Sequence, residues 1–361
     1  MQTIVTKSNA IHFNETCYIS LNDYLDTNNF SMIMVLVDEN TRALCLPRFH
    51  EHIKIKKPLE IIEIQGGESY KTIETCNSLW RRFSKLGADR KSLLINLGGG
   101  VITDLGGFVA STFKRGIEYI NIPTTLLSMV DASVGGKTGV DLDNLKNQIG
   151  VINSGEMVLI DTSYLNTLPK EQICSGMAEM LKHGLIRDED YWQRMKEYIE
   201  KGPSSQIDNL IRDSVIIKDE IVTKDPFERN IRKTLNFGHT LGHAIESYFL
   251  ENKDKKDLLH GEAIAIGMIM ECYLSHVLLD FPLEKLNNIV QLFSKVYTPI
   301  TIQSRDHEHI LNLLKHDKKN EYGNVNFVLL NDIGDYKIDC KVDNELIIKA
   351  FQFYDECFES A

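Results

Sequence analysis

The sequence predicts an α/β nucleotide-binding domain with a parallel sheet, followed by a mainly α-helical domain. Three observations predict it. Short continuous apolar runs alternate with helical segments through the first half, as strands buried on both faces do. From Lys170 onward the 3.6-residue period dominates. Between these regimes lies a strand, a glycine turn and a helix start, LLINLGGGVITD, and sheets of this class take ligands at the carboxyl ends of their strands. The boundary is expected near Pro169, giving domains 1–169 and 170–361.

The elements follow in order. MQTIVTKSNAIHFN lacks the apolar core of a signal peptide and reads as an opening strand. SMIMVLVDEN is an apolar run closed by acids, a buried parallel strand. LEIIEIQGGE is a second strand ending in glycines, and SYKTIETCNSLWRRFSKLG a helix that stops at Gly87. SLLINLGGG, YINIPTT and EMVLIDTSYLNTLP supply further strands. EQICSGMAEMLKHGLI, the stretch from Ser205 to Val222, NFGHTLGHAIESYF and GEAIAIGMIMECYLSHVL are helical. ENKDKKD is a charged loop, and NVNFVLL with DYKIDCKV forms a small late hairpin.

Composition narrows the function. The 361 residues suffice for about two domains and a full core. A net charge of −11 argues against a broad nucleic-acid surface, while leaving room for a local basic pocket. No apolar run approaches the roughly 20 residues that span a bilayer, so no membrane partner is expected. The seven cysteines are scattered without a CxxC pair, as expected for reduced thiols in cytoplasm.

The chemistry-bearing residues cluster in a few motifs. Gly98-Gly99-Gly100 suits close approach of backbone to a pyrophosphate, but it does not spell GxGxxG, and an ordinary strand-to-helix turn is the plain alternative. Asp38, at a strand end, could accept from a ribose or cap a helix. VDASVGGKTGVDLDNLKN holds Asp131, Lys137, Lys146 and Asn147; its GKT lacks the first glycine of a P-loop, and a surface loop is the alternative. His239 and His243, four apart, share a helix face. With His260 and Glu179 they offer a metal set, yet Thr240 follows His239, so no metalloprotease base is present. One metal histidine and one proton-handling histidine is the competing division.

In combination, GGESYK, GGGVITD, KRG, IPTTLLSMVDASVGGKTG, LKNQIG, GMAEMLKHG, NFGHTLGH and HGEA resemble the 3-dehydroquinate synthase family of sugar-phosphate cyclases, over roughly Asp38 to Gly334. The resemblance implies an active site between the two domains. It implies Glu179, His239 and His260 as ligands of zinc or cobalt, with His243 as a substrate-contacting proton relay. It implies NAD against Asp38, Glu68, Lys71, Gly98, Gly99, Gly100, Asp104, Thr124, Thr125, Lys137, Lys146 and Thr167. Substrate contacts map to Asp131, Lys137, Asn147, Lys182, Lys218, Arg232, Asn236 and His243, with Lys318 or Lys319 at a phosphate. Asp131, Lys137, Lys182, Asn236 and His243 form the implied catalytic set, joined by Arg115, which reaches the active site of the neighbouring subunit of a homodimer. The implied reaction turns a sugar-phosphate, 3-deoxy-D-arabino-heptulosonate 7-phosphate, into 3-dehydroquinate and phosphate. It proceeds by transient oxidation, phosphate elimination, re-reduction and ring closure, a step toward aromatic amino acids in cytoplasm.

Two departures stand out. DLDNL replaces an Asn-His pair and a glycine before the lysine, and ENKDKKD reads as a remodelled loop tip. Neither removes a functional side chain. The rival classes are a metal-dependent polyol or glycerol-phosphate dehydrogenase of the same fold, which would release NADH, and a silent scaffold relative, which should have lost Glu179, His239 or His260.

Overall fold

The computed structural model describes the chain apart from Met1, Lys56, Asn144 and residues 203–205, 315–324 and 359–361. The expected phosphate contacts Lys318 and Lys319 therefore lie outside the described residues. The chain divides into two compact units, Met1–Ile173 and Cys174–Ala361.

In the first unit, β1 (Ile4–Val5), β2 (Ala10–Phe13), α1 (Glu15–Thr27), β3 (Ile33–Asp38), α2 (Glu39–Leu44), α3 (Leu46–His52) and β4 (Leu59–Ile64) come first. Then follow α4 (Ile73–Leu86), β5 (Leu93–Gly98), α5 (Gly100–Thr112), β6 (Glu118–Pro123), β7 (Lys137–Leu142), β8 (Leu145–Ile152) and β9 (Met157–Ile160). Seven strands form one sheet in the order β1-β2-β9-β6-β5-β3-β4. All pairs are parallel except β1–β2. The opening segment is thus two strands where the sequence suggested one. β3 and β5 are buried along most of their length, which explains their unbroken apolar runs. A core of Met34, Leu36, Ile62, Phe83, Leu94, Ile102, Leu105 and Val109 packs one face of the sheet. α4 ends where Gly87, at φ 81°, adopts the left-handed conformation of a helix stop.

The order of strands fixes the ligand end. From β3 the chain moves outward to β4, and from β5 it moves the other way to β6 and β9. The direction reverses between β3 and β5, so their carboxyl ends, Asp38 and Gly98, flank a topological switch point. β7 and β8 form a separate antiparallel hairpin against α5, with Gly107 so close to Thr138 that an added Cβ would lie 2.5 Å from it. This hairpin replaces the expected loop, because its glycines and acids carry no strand alternation.

The second unit takes α6 (Lys170–Arg187) from Cys174 onward, then α7 (Glu189–Lys201), α8 (Ile207–Lys224), α9 (His239–Glu251) and α10 (His260–Leu279). α11 (Leu283–Val296), α12 (Ser304–Leu314), β10 (Phe327–Asp332), β11 (Asp335–Cys340) and α13 (Asn344–Phe358) complete it. β10 and β11 form the late hairpin. α10 is the central helix, packed by α9, α11, α13 and β10. Contrary to the expectation that no apolar run nears bilayer length, its 20 residues and mean hydropathy of 1.5 would suffice to cross one. Buried for 67% of its apolar window, it serves here as a core helix.

Candidate active site

Glycines bring three helices of the second unit together. A Cβ on Gly261 of α10 would sit 2.0 Å from the Ser175 carbonyl of α6, and one on Gly267 would sit 2.0 Å from the Gly238 carbonyl before α9. A Cβ on Gly242 of α9 would lie 2.7 Å from Ile264. Gly238 also has φ 76°, a left-handed turn that admits glycine most readily. These approaches set the backbones of Glu179, His239 and His260 around one point.

Glu179 is fully buried, with Oε1 3.3 Å from His239 Nε2 and 3.5 Å from His260 Nε2. His239 Nδ1 lies 3.1 Å from the Phe237 carbonyl, and His260 Nδ1 3.1 Å from Glu246 Oε2. Both contacts need Nδ1 to donate. In the neutral rings this leaves both Nε2 lone pairs aimed at a carboxylate oxygen. Neither Glu179 oxygen accepts a hydrogen bond of ordinary geometry. Three electron-pair donors facing one another repel unless a cation lies among them. Two donors held about 2.0–2.1 Å from a tetrahedral ion are themselves about 3.3 Å apart, so the spacing fits a divalent metal such as zinc.

Without such an ion the site charges itself. Burial lowers the His260 pKa, but Glu246 and Glu179 outweigh it and push it up to about 10. Burial likewise opposes the charge of Glu179, yet Lys182 and His239 hold its carboxyl well below the usual range. Lys182, also buried, forms a close ion pair with Glu179 Oε2.

His243 stands one turn beyond His239. The three imidazoles have ring centroids 5.1–5.6 Å apart, and their nearest nitrogens lie within 4.8 Å of one another. Both divisions of labour read from the sequence therefore remain sterically open. Lys218 of α8 and Arg232 of the turn Ile231–Asn236 are buried, and that turn packs on α8. Asp225 accepts the Arg229, Asn230 and Arg232 amides and shapes the loop. Asn236 donates to Glu228 Oε1 at 2.6 Å. Glu228 and Glu246 were not singled out in the sequence. Glu246, three residues after His243 on the helix, could have been suspected as a histidine partner.

The first unit gathers its own set at the switch point. Asp38 closes β3 and caps α2, its Oδ1 accepting the Thr41 amide at 2.7 Å, so the capping alternative describes its contact here. Gly98 and Gly99 admit no side chain: an added Cβ would lie 2.5 Å from Ile102 and 2.9 Å from Thr125 respectively. The Thr124 amide donates to the Gly98 carbonyl at 3.0 Å. The glycine turn thus joins the end of β5 directly to the first position of α5, the arrangement in which a helix N-terminus can receive a phosphate. Beside them, buried Lys71 donates to Asp104 at 2.6 Å and to Asn147 at 2.7 Å, and Lys146 pairs with Glu68 at 2.9 Å. Burial opposes the Lys71 charge, but Asp104, Glu68 and Asp141 raise its pKa. Burial raises that of Asp104 despite Lys71.

The charge of Asp131 also raises the Asp104 pKa, and the other expected residues lie further along the chain. Asp131 lies in the turn Ser128–Ala132, Lys137 is exposed at the start of β7, and Thr167 lies 3.8 Å from the Cys45 thiol. Arg115 is exposed at φ 72°, at the far end of α5 from Gly100, roughly 20 Å along the helix.

Comparisons with known proteins bear directly on this arrangement. Residues 61–175 match the family model of the 3-dehydroquinate synthase N-terminal domain, and residues 176–320 that of its C-terminal domain. The chain is 43% identical over 339 residues to 3-dehydroquinate synthase of Parabacteroides distasonis, covering 94% of this chain and 95% of that protein. It is 36% identical to the enzyme of Streptococcus pyogenes serotype M3, covering 91% of each. Among solved structures, 2-deoxy-scyllo-inosose synthase complexed with carbaglucose-6-phosphate, NAD+ and Co2+ superposes with a TM-score of 0.83 at 27% identity, covering 98% of this chain and 100% of that one. Glycerol dehydrogenase from Schizosaccharomyces pombe, at TM-score 0.67 and 14% identity over 99% and 91% of the two chains, shares the fold alone. Matched through both of its domains and along nearly its whole length, the chain belongs to the 3-dehydroquinate synthase family.

Proposed function

We propose that this chain converts 3-deoxy-D-arabino-heptulosonate 7-phosphate to 3-dehydroquinate and phosphate, acting as a carbon–oxygen lyase with catalytic NAD and a divalent metal. The observation that carries the reading is the donor cluster of Glu179, His239 and His260, whose tautomers leave three electron pairs converging. These three residues hold the ion, zinc or cobalt. The first unit holds NAD through Gly98, Gly99, Gly100, Thr124, Thr125, Lys71, Asp104, Lys146, Glu68, Asp38, Lys137 and Thr167. When bound, the metal polarises a substrate hydroxyl and NAD takes up and returns a hydride.

The protein's own groups do the rest. Lys182 keeps Glu179 ionised by pairing with Oε2. His243, on the same helix face as His239, carries a proton at the substrate through its imidazole nitrogen. Lys218 and Arg232 hold the anionic ends of the substrate, and their burial strengthens that attraction. Asn236, Asn147, Asp131 and Lys137 orient its hydroxyls, with one of Lys318 and Lys319 at the phosphate. Holding the chain of the substrate in one geometry lets its own phosphate act as a base. Seven free cysteines suit a cytoplasmic location.

Phosphate should be released over many turnovers per NAD, with no build-up of NADH at 340 nm. Stoichiometric NADH would instead identify a dehydrogenase. We further infer a homodimer in which Arg115 serves the neighbouring site, supported by its exposure and its distance along α5 from the glycine turn. Arg115→Ala and Glu179→Ala subunits, unfolded and reassembled together in equal amounts, should then recover about a quarter of wild-type activity. If mass analysis shows mixed dimers and activity stays at the single-variant level, Arg115 does not act in trans.

A further inference from the structure

α9 carries His239 at its first position, yet nothing local caps it. Its N-cap is Gly238, which has no side chain, and its third position is Leu241. A helix start ordinarily satisfies these amides with a Ser, Thr, Asp or Asn and a nearby Glu or Gln. Here one carboxylate from another helix does both jobs. Glu271 of α10, 33 residues further along the chain, accepts the Gly238 amide at 2.6 Å through Oε2. It accepts the Leu241 amide at 3.3 Å through Oε1. Glu271 is fully buried within an otherwise largely apolar helix. A carboxylate there is costly unless amides and a helix N-terminus compensate it.

The contact lies in the same turn that aims the donor cluster. Gly267, one turn before Glu271, lies against the Gly238 carbonyl, where an added Cβ would be 2.0 Å away. α10 therefore grips the Gly238 turn by its carbonyl side through Gly267 and by its amide side through Glu271. The His239 ring is anchored to the carbonyl of Phe237, the residue just before that turn. Rotation or fraying of the first turn would swing Nε2 away from Glu179. We infer that Glu271 is a positioning residue for the metal-binding donors, acting through His239. The inference rests on the metal reading for its consequence, and on the α9 turn itself for its mechanism.

The test compares Glu271→Gln with Met270→Ala, a variant of a neighbouring, fully buried residue on the same helix. A carboxamide can accept one of the two amides but sets an N–H against the other. In the metal-free E271Q protein, amide hydrogen exchange at Gly238 and Leu241 should accelerate about tenfold or more relative to M270A. Zn2+ affinity, by competition with a chromophoric chelator, should fall about 10-fold or more, the scale of losing a ligand's supporting contact. The visible absorption band of the Co2+-loaded protein should shift in E271Q and stay put in M270A. Unchanged amide exchange in E271Q overturns the inference. So does an M270A variant that, at the same loss in Tm, reproduces the exchange, affinity and spectral changes. If E271Q does not fold, Glu271→Asp keeps the anion and shortens its reach; wild-type exchange there is equally fatal. If the wild-type protein binds no metal, the metal reading fails, and amide exchange alone decides whether Glu271 holds the turn.

Discussion

The two units each gather charged side chains, but to opposite effect. Around Lys71 every charge meets its complement: its ammonium bonds Asp104 and Asn147, and Lys146 bonds Glu68. Around Glu179, two imidazole lone pairs and a carboxylate oxygen face one another at 3.3 and 3.5 Å. The first arrangement is electrostatically closed and acts as a rigid frame beside the glycine turn. In the second, Lys182 balances Glu179 through Oε2, while Oε1 and the nitrogens of two neutral imidazoles converge as donors. A cluster's residue types alone do not reveal a metal; the orientation of its lone pairs does.

The largest effects should come from the converging donors. Glu179→Ala should lose bound divalent metal by elemental analysis and drop phosphate release by roughly four orders of magnitude, since ion and template go together. His243→Ala should keep its metal while turnover falls about 10²–10⁴-fold, the range for a general acid–base. A metal-free H243A protein would move His243 into the ligand set and break the contrast between the three donors and the fourth residue.

The closed network should respond through stability. Lys71→Met leaves Asp104 without its ammonium, and urea unfolding should show a loss of about 3 kcal/mol, near the lower end for a broken buried pair because Asp104 keeps some solvent contact. Adding Asp104→Asn should restore part of it. If the double variant is no better than K71M, the network is not a compensated pair.

A smaller and graded effect separates the clusters by pH. In the metal-free protein the His260 pKa rises to about 10 from 6.5. Its contribution to stability is therefore full below about pH 6.5 and is lost as pH rises through about 10. A metal must displace that proton, so metal affinity runs the other way, rising roughly tenfold per pH unit below 10 for one proton released. Chelator competition at several pH values, flat across this range, would mean His260 binds no ion.

Much of this was readable from residues. The parallel strands announced themselves as apolar runs because both faces of β3 and β5 are buried. Glu179, His239, His243 and His260 stood out as metal-donor types, but only the family resemblance divided ligands from proton relay, because helical spacing relates His239 to His243 alone. What was not legible depends on distance in the chain. Glu271 meets Gly238 across 33 residues, and nothing in the spacing of α10 alone names that partner. Glu246 could be suspected beside His243 by helical spacing, but its actual partner, His260, lies across the loop after α9. The β7–β8 hairpin escaped because Gly139 and Gly150 pack backbone on backbone, leaving no alternation to detect. α10 shows the converse failure, since a core helix and a membrane span can share one composition.

The glycines between α6, α9 and α10 have a consequence for genetics. At Gly261 and Gly267 an added methyl would overlap a backbone carbonyl at 2.0 Å, where no rotamer change can relieve it. A random mutational screen for lost activity would therefore mark these positions as strongly as the histidines they hold in place. Sensitivity to substitution would trace the outline of the site without distinguishing the residues that touch substrate from those that are simply small.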